Sequence, residues 1–224
     1  MPRMRSAFRL ISFFCFSILL TAALLSERAF AFDKLTEAQA WIYDRNHLAN
    51  TSQGQILTYH YAGHDHNAQG IDDKAIVSIT GTHDDGRRDI DITFLSDERH
   101  LALPSFSGYR GNPVIIAMLE HIAQSISSQT GGGALYFRNR IRDALASENV
   151  ELEEHKIQYN DNEVDGTRIT FYPFVSDEYL AANELIRQAR FRIFLSDDVP
   201  GGVYSVQVKA NHDTQVFERT LSLI

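Results

Sequence analysis

The middle of the chain carries apolar residues at helical spacing. Ile115, Leu119, Ile122 and Ile126 recur at intervals of four, three and four residues, which places them on one face of a helix. The dipeptide Asn112-Pro113 precedes this stripe. Asn is a favourable N-cap because its side chain accepts a hydrogen bond from the first turn, and Pro is tolerated at the first helical position. The pattern therefore predicts that a helix begins at this dipeptide.

Three consecutive glycines, Gly131 to Gly133, end this pattern before a second apolar stripe begins. Phe137, Ile141 and Leu145 lie on one face of the second predicted helix, and Gly131 is a suitable left-handed C-cap for the first. A glycine-rich loop before a helix can also bind phosphate. Because no Lys-Ser/Thr pair follows as in the Walker motif, we interpret the glycines as the connection of a helical hairpin over residues 112–147.

The segments on both sides of this hairpin alternate with a period of two. Ile90, Ile92 and Phe94 alternate with Asp89 and Asp91, which is typical of an antiparallel strand with one buried and one solvated face. The same reasoning predicts strands at residues 55–61, 75–83, 87–95, 150–159, 164–174, 190–195, 203–209 and 215–223, with a short additional candidate at 99–103.

Two shorter helices are also predicted. Thr36 and Gln39 form a capping box, from which a helix should run to about Leu48. Ser176 is the predicted cap of a helix that ends at Arg187. No strand–helix–strand rhythm is present, so the fold class is α+β. We expect an antiparallel sheet of about eight strands, twisted or partly rolled, with the helical hairpin packed on one face.

The first 31 residues have the organisation of a secretory signal peptide. Three arginines lie within the first nine residues, Leu10–Leu25 is apolar, and Ala29-Phe30-Ala31 is a small-x-small cleavage site. An uncleaved membrane anchor is the alternative, although the apolar run of 16 residues is shorter than the roughly 20 that a membrane span needs. We therefore divide the chain into a signal peptide at 1–31 and a single domain at 32–224. We expect no stable membrane span in the domain after cleavage.

Composition narrows the location and the partners of this domain. Cys15 is the only cysteine and leaves with the signal, and an exported domain without disulfides fits a bacterial envelope, periplasmic or secreted, better than a eukaryotic secretory route. The signal carries four arginines and one glutamate, so the net charge of −8 for the whole chain becomes −11 for the domain. Such a domain repels nucleic acid at long range, and we predict no nucleic-acid partner.

A cluster of histidines is the most specific candidate for a metal-binding or catalytic site. His60, His64 and His66 lie close together in the sequence around Asp65, and the segment 63–67 has the polar composition of a loop. Neutral imidazoles bind zinc and other transition metals, and a hydrolytic zinc site uses three protein ligands and one water. The spacing matches no established zinc signature, so exposed loop histidines are the alternative interpretation.

Other candidate motifs are incomplete. The acidic residues Asp84, Asp85, Asp89 and Asp91 could hold a hard cation, or they could form a solvated strand face. The chain has no GxSxG elbow and no SxxK motif, and no thiol remains after cleavage. No catalytic residue is therefore predicted, no cofactor other than the candidate metal is implied, and the sequence favours a non-catalytic protein.

The predicted outline resembles the periplasmic lipoprotein carriers, in which helices cover a half-open barrel. The resemblance is one of architecture and implies an apolar cavity that binds a lipid-like molecule. Three functions follow as hypotheses: a binding protein for an apolar small molecule or an envelope protein, a structural or interaction module, and a metal-binding hydrolase. For the interaction module, the helix that carries Arg138 and Arg142, or the acidic strand face, is the candidate contact surface.

Overall fold

The computed structural model describes residues 34–66 and 69–224, and the predicted signal peptide lies outside these residues. Nine antiparallel strands form one open sheet in the order β4-β3-β2-β1-β9-β8-β7-β6-β5. Their bounds are β1 Ile56–Asp65, β2 Ile71–Thr82, β3 Arg88–Phe94, β4 Phe106–Tyr109, β5 Glu151–Tyr159, β6 Asn162–Phe171, β7 Arg190–Leu195, β8 Val203–His212 and β9 Gln215–Leu223.

The strand order has a simple origin in the chain path. Strands β1 to β4 follow one another from the middle of the sheet to one edge, and β5 to β9 follow one another from the other edge back to the middle. The pairing of β1 with β9 joins the two halves, for example through Tyr61 opposite Leu221. The segment between β4 and β5 must therefore connect the two edges, and it contains the two longest helices.

Among the described residues, four α-helices accompany the sheet: α1 Glu37–Gln39, α2 Pro113–Thr130, α3 Ala134–Leu145 and α4 Glu184–Arg187. The predicted end signals of α2 are confirmed. The side chain of Asn112 accepts a hydrogen bond from the Val114 amide, and Gly131 adopts φ 77° at the C-cap. Helix α2 contacts α3, β3 and β8, so its apolar stripe packs against both halves of the sheet.

The core lies on one face of the strands, as the alternation predicts. In β1, Leu57, Tyr59 and Tyr61 are buried and the residues between them are more exposed. Aromatic side chains fill much of the interior. Those less than 2% exposed include Tyr59, Tyr61, Phe94, Phe137, Phe171, Phe174, Phe191 and Phe217.

Three predicted elements differ from the structure. The first helix is short, because α1 passes into a π-helical turn at Ala40–Asp44 and the backbone becomes extended at Arg45. The segment 63–65, predicted as loop, continues β1. The sheet also has nine strands rather than about eight, since Phe106–Tyr109 forms the edge strand β4 while residue Leu101 makes only an isolated bridge.

The predicted helix from Ser176 to Arg187 is also wrong over most of its length. Only Glu184–Arg187 is helical, and its cap is Asn183. The carboxylate of Asp177 accepts hydrogen bonds from the Tyr136 hydroxyl and from Arg140 Nε, at 2.8 and 3.0 Å. The same carboxylate also accepts from the Leu180 amide at 3.3 Å, so Asp177 closes a local turn, and its contacts to α3 fix that turn in place.

Candidate functional site

The structure does not gather the three predicted metal ligands. His60 and His64 are four residues apart on the same side of β1, a separation of about 13 Å at the normal rise of a strand. His60 Nε2 lies 3.2 Å from Asp72 on β2, and His66 is exposed beyond the end of β1. Among residues 34–66 and 69–224, no three His, Cys, Asp or Glu side chains are arranged to hold a metal ion.

Three of the four acidic residues predicted as a cation site, Asp85, Asp89 and Asp91, form hydrogen bonds or ion pairs within the chain. Asp89 accepts from the Gly108 amide at 2.8 Å and the Ser107 hydroxyl at 2.8 Å, and it lies 2.9 Å from His83 Nε2. The hydrogen bonds from His83, Gly108 and Ser107 lower the pKa of the Asp89 carboxyl to about 2. Asp89 is thus a bonded surface carboxylate rather than an open cation ligand.

A buried Tyr–His pair lies between the sheet and α2. The hydroxyl of Tyr61 and Nε2 of His121 are 2.9 Å apart, and the two rings meet edge to face at 5.3 Å. Burial, followed by the charges of Arg219 and Arg99, lowers the pKa of His121 to about 4. Burial raises the pKa of Tyr61 to about 12. Near pH 7 both groups are neutral, and they share one hydrogen bond whose donor is set by the tautomer of the imidazole.

Two ion pairs lie beside this Tyr–His pair. Arg219 binds Asp65 with two nitrogen–oxygen distances of 2.8 Å, and Arg99 lies 3.3 Å from Asp73. Asp73 also accepts from the amide and the hydroxyl of Ser96. From the predicted histidine segment, the Asp65 carboxylate and the His64 carbonyl contact Arg219, but no histidine side chain does so among the described residues. The hydroxyl, the imidazole and both carboxylates are paired, and only Nε of Arg219 lacks a hydrogen bond among the described residues. The arrangement is therefore suited to hold α2 on the sheet rather than to carry a nucleophile.

A second buried network surrounds the start of α2. The side-chain amide of Asn112 donates to the Tyr59 hydroxyl at 2.8 Å and to the Gly201 carbonyl at 2.9 Å. The backbone N–H of Asn112 donates to His47 Nδ1, and His47 Nε2 in turn donates to the Trp41 carbonyl at 2.8 Å. Burial lowers the pKa of His47 to about 4. His47 is therefore a neutral structural residue that connects the first helical segment to α2.

Two hollows lie on the helix side of the molecule. One, of about 620 Å³, is lined by residues of α3 and of the segment after β6: Arg140, Asp143, Ala144, Ser147, Asn149, Phe171, Tyr172, Pro173, Val175 and Ser176. The other, of about 200 Å³, is lined by Tyr43, Ile116, Leu119, Glu120, Arg138, Ile141 and Arg142. We call the second hollow the helix groove.

The sequence pattern indicated the walls of the helix groove but not the groove itself. The stripe of α2 runs through Leu119, and Ile141 belongs to the stripe of α3, so both were predicted to be buried. Tyr43 was not singled out, because the π-helical turn that brings it to the groove has no recognised sequence signal. The Arg138–Arg142 helix, predicted as a contact surface, does contribute both of those arginines to the rim.

The comparisons with known proteins add no family to this description. No protein-family model matches the chain, and neither curated proteins nor solved structures provide a match. Within the described residues, no helix combines the length and the apolar character required to cross a membrane.

Proposed function

We propose that this chain is an exported protein of a bacterial envelope that acts as a non-catalytic binding protein for another envelope protein. The twisted or partly rolled sheet, with α2 and α3 covering one face, serves as the scaffold in this proposal. The helix groove is the contact site. The paired state of the buried polar groups supports a non-catalytic role, since they leave no free nucleophile at the Tyr61–His121 contact.

The exposure of Ile116 is the observation that carries the proposal. This residue lies in the first half of α2, a helix whose other apolar residues are mostly buried, yet it is 41% exposed. Tyr43 is 39% exposed beside it. Leu119 and Ile141 complete an almost wholly apolar floor. An apolar centre with a polar rim is the usual organisation of a protein–protein contact.

The rim indicates the chemistry of the partner. Arg138 forms an ion pair with Glu120 across the two helices, and Arg142 forms one with Asp143. Both arginine side chains remain more than half exposed. We therefore propose a partner segment with an apolar side chain for the floor and carboxylates for the two arginines, because guanidinium groups pair well with carboxylates.

The proposal is tested by site-specific photo-crosslinking in cells that express the full chain. A crosslinker at position 116 should capture a defined envelope protein, and the substitution Tyr43→Ser or Arg142→Glu should abolish that adduct. Leu135 is the matched control, because it is 61% exposed on α3 but does not line the groove. The same adduct from positions 116 and 135, or an adduct unaffected by both substitutions, would contradict the proposal.

A lipid-like ligand is the second candidate, and the larger hollow favours it. Its volume of about 620 Å³ is within the usual range of small-molecule sites, and Phe171, Tyr172 and Val175 give it an apolar wall. The delipidated protein would then take up a fluorescent fatty acid, and native mass spectrometry of the exported protein would show an added mass of a few hundred daltons. Absence of uptake at micromolar concentration would exclude this function.

The metal-binding hydrolase remains a prediction with a direct test. Untagged protein would have to contain one metal ion per chain after purification, and His64→Ala with His66→Ala would have to remove it. The separation of His60 from His64 along β1 gives this alternative no support from geometry. Metal content at background level would eliminate it.

A further inference from the structure

Four cationic side chains meet on the outer face of strands β6 to β8. Arg190 and Arg192 are alternate residues of β7, and the buried residues Phe191 and Ile193 point to the core from the opposite face. Lys209 on β8 lies directly opposite Arg190 in the strand register. Arg168 on β6 is opposite Phe194 and thus diagonal to Arg192. We call these four residues the outer cationic cluster.

The carboxylates near the cluster compensate only part of its charge. Glu153 forms an ion pair with Arg168, and Glu218 lies 3.7 Å from Lys209. In the part of the chain that the structure describes, neither Arg190 nor Arg192 has an ion-pair partner or a side-chain hydrogen bond. The cluster therefore presents two guanidinium groups whose charge is not satisfied, in a domain whose net charge is strongly negative.

This arrangement is unfavourable in the free protein. Like charges directly opposite each other on neighbouring strands destabilise a sheet, and this is the relation of Arg190 to Lys209. Burial, together with the charges of Arg190 and Arg168, lowers the pKa of the Arg192 guanidinium. A bound anion would remove this repulsion, since it would give the cations a common partner.

The stems of the three arginines are packed against the sheet. The Nε atoms of Arg168, Arg190 and Arg192 are shielded from solvent and have no hydrogen-bond partner within the described residues. Their stems therefore lie along the sheet, and less conformational entropy remains to be lost on binding. The phenolic group of Tyr172 lies near Arg192 and can supply a neutral hydrogen bond.

We propose that the outer cationic cluster binds a phosphate group. Planar guanidinium groups bind phosphate oxygens in pairs, and two uncompensated arginines match the roughly two negative charges of a phosphomonoester near neutral pH. The site lies on the sheet face opposite the core and does not include the helix groove, so it does not depend on the proposed partner. A soluble phosphate ester and the phosphomonoester headgroup of a lipid share this chemistry.

The test is titration of the exported protein with three probes at low salt and pH 8. The probes are inorganic phosphate, glycerol 3-phosphate, and vesicles of phosphatidylcholine with phosphatidic acid. We expect Arg190→Gln with Arg192→Gln to weaken binding about tenfold or more, the effect of losing at least one charge-assisted hydrogen bond. Binding of the soluble probes would identify a soluble ligand, and binding of the vesicles alone would identify a lipid headgroup.

A matched variant distinguishes a specific site from general charge. Arg87→Gln with Lys156→Gln also removes two positive charges, but these residues pair with Asp85 and Asp165 away from the cluster. Its affinity should equal that of the unmodified protein. Arg190→Lys with Arg192→Lys should give an intermediate affinity, because the charge remains and the paired geometry is lost.

Three results would overturn the proposal. The first is failure of every phosphate probe to bind the unmodified protein. The second is a loss of affinity in the Arg87→Gln, Lys156→Gln variant as large as that in the Arg190→Gln, Arg192→Gln variant, which would indicate unspecific electrostatic attraction. The third is binding of an Asp/Glu-rich peptide, dependent on Arg190 and Arg192, without binding of phosphate, which would assign the face to an acidic protein partner. Circular dichroism of each variant would establish that it is folded.

Discussion

The two faces of the sheet differ in how far their polar side chains are paired within the chain. On the inner face, Tyr59 and Tyr61 are fully buried, and their hydroxyls are hydrogen-bonded to Asn112 and His121. On the outer face, Arg190 and Arg192 are partly exposed and unpaired within the described residues. Burial without a hydrogen bond is costly, and the inner charges and hydroxyls are accordingly paired within the chain, with Arg219 bound to Asp65 even though its Nε makes no hydrogen bond. The outer groups remain free to bind something else.

This difference separates structural chemistry from candidate binding chemistry. The strongly shifted pKa values of His47 and His121 belong to the inner face, and shifted groups of this kind often mark functional sites. Here each imidazole already has its partners, and the shift follows from burial. The weaker shift of Arg192 is accompanied by unpaired charge, which is the better indication of a ligand.

Acidification should have the largest effect on the inner face. Each imidazole has a pKa near 6.5 when unfolded and about 4 when folded, so the unfolded state takes up the proton first as pH falls. The two histidines make their full contribution to the free energy of unfolding above about pH 6.5. This contribution falls as the pH approaches 4, by about 3 kcal/mol for each histidine. Urea denaturation at several pH values measures this loss.

The variant His121→Gln provides the control for this pH dependence. Glutamine can still form a hydrogen bond with the Tyr61 hydroxyl but does not titrate, so the slope of stability against pH between 6.5 and 4 should be shallower than in the unmodified protein. An unchanged slope would show that His121 is not the group responsible.

The substitution Asn112→Ala should have the next largest effect. It removes the cap of α2 and the hydrogen bonds to Tyr59 and Gly201, and we expect a loss of about 3 kcal/mol in the free energy of unfolding. Asn183→Ala removes only the cap of the short helix α4 and should cost about 1 kcal/mol. Equal losses in the two variants would mean that the buried network contributes nothing beyond capping.

Neutralising the outer cations should have the smallest effect, with the opposite sign. Arg190→Gln with Arg192→Gln removes the repulsion from Lys209 and should raise the free energy of unfolding by about 0.5 kcal/mol, more at low salt than at high salt. Arg87→Gln with Lys156→Gln should give no such gain, because it removes two ion pairs. Destabilisation by the first variant would show that the arginines stabilise the sheet.

Local backbone signals predicted much of the fold. The cap at Asn112 and the left-handed residue Gly131 appear where the sequence indicates them. A turn also lies between the predicted strands 150–159 and 164–174, with positive φ at Asn160 and Asp161. The same kind of signal failed at Ser176. The Asp177 carboxylate accepts from the Leu180 amide, but it is shared with the distant Tyr136 and Arg140, and the segment forms only a turn. A local signal therefore predicts structure only where no distant residue competes for the same group.

The candidate sites were less accessible to sequence reasoning. His60, His64 and His66 are close in the sequence, but the extended backbone of β1 separates the first two. Tyr61 and His121 are 60 residues apart and in contact. Alternation places Arg190 and Arg192 on one face of a strand, but only the register of β6, β7 and β8 brings Arg168 and Lys209 beside them.

The sequence by itself determined which faces of the strands are apolar, where most turns occur and where α2 begins. These features depend on the periodicity of the side chains and on the backbone preferences of a few neighbouring residues. Only the tertiary structure decided which polar groups are paired and which are left free. Pairing depends on contacts between residues that are far apart in the chain, as between Asn112 and Gly201. Free charge at Arg190 and Arg192 is therefore a property of the folded sheet, not of the β7 sequence.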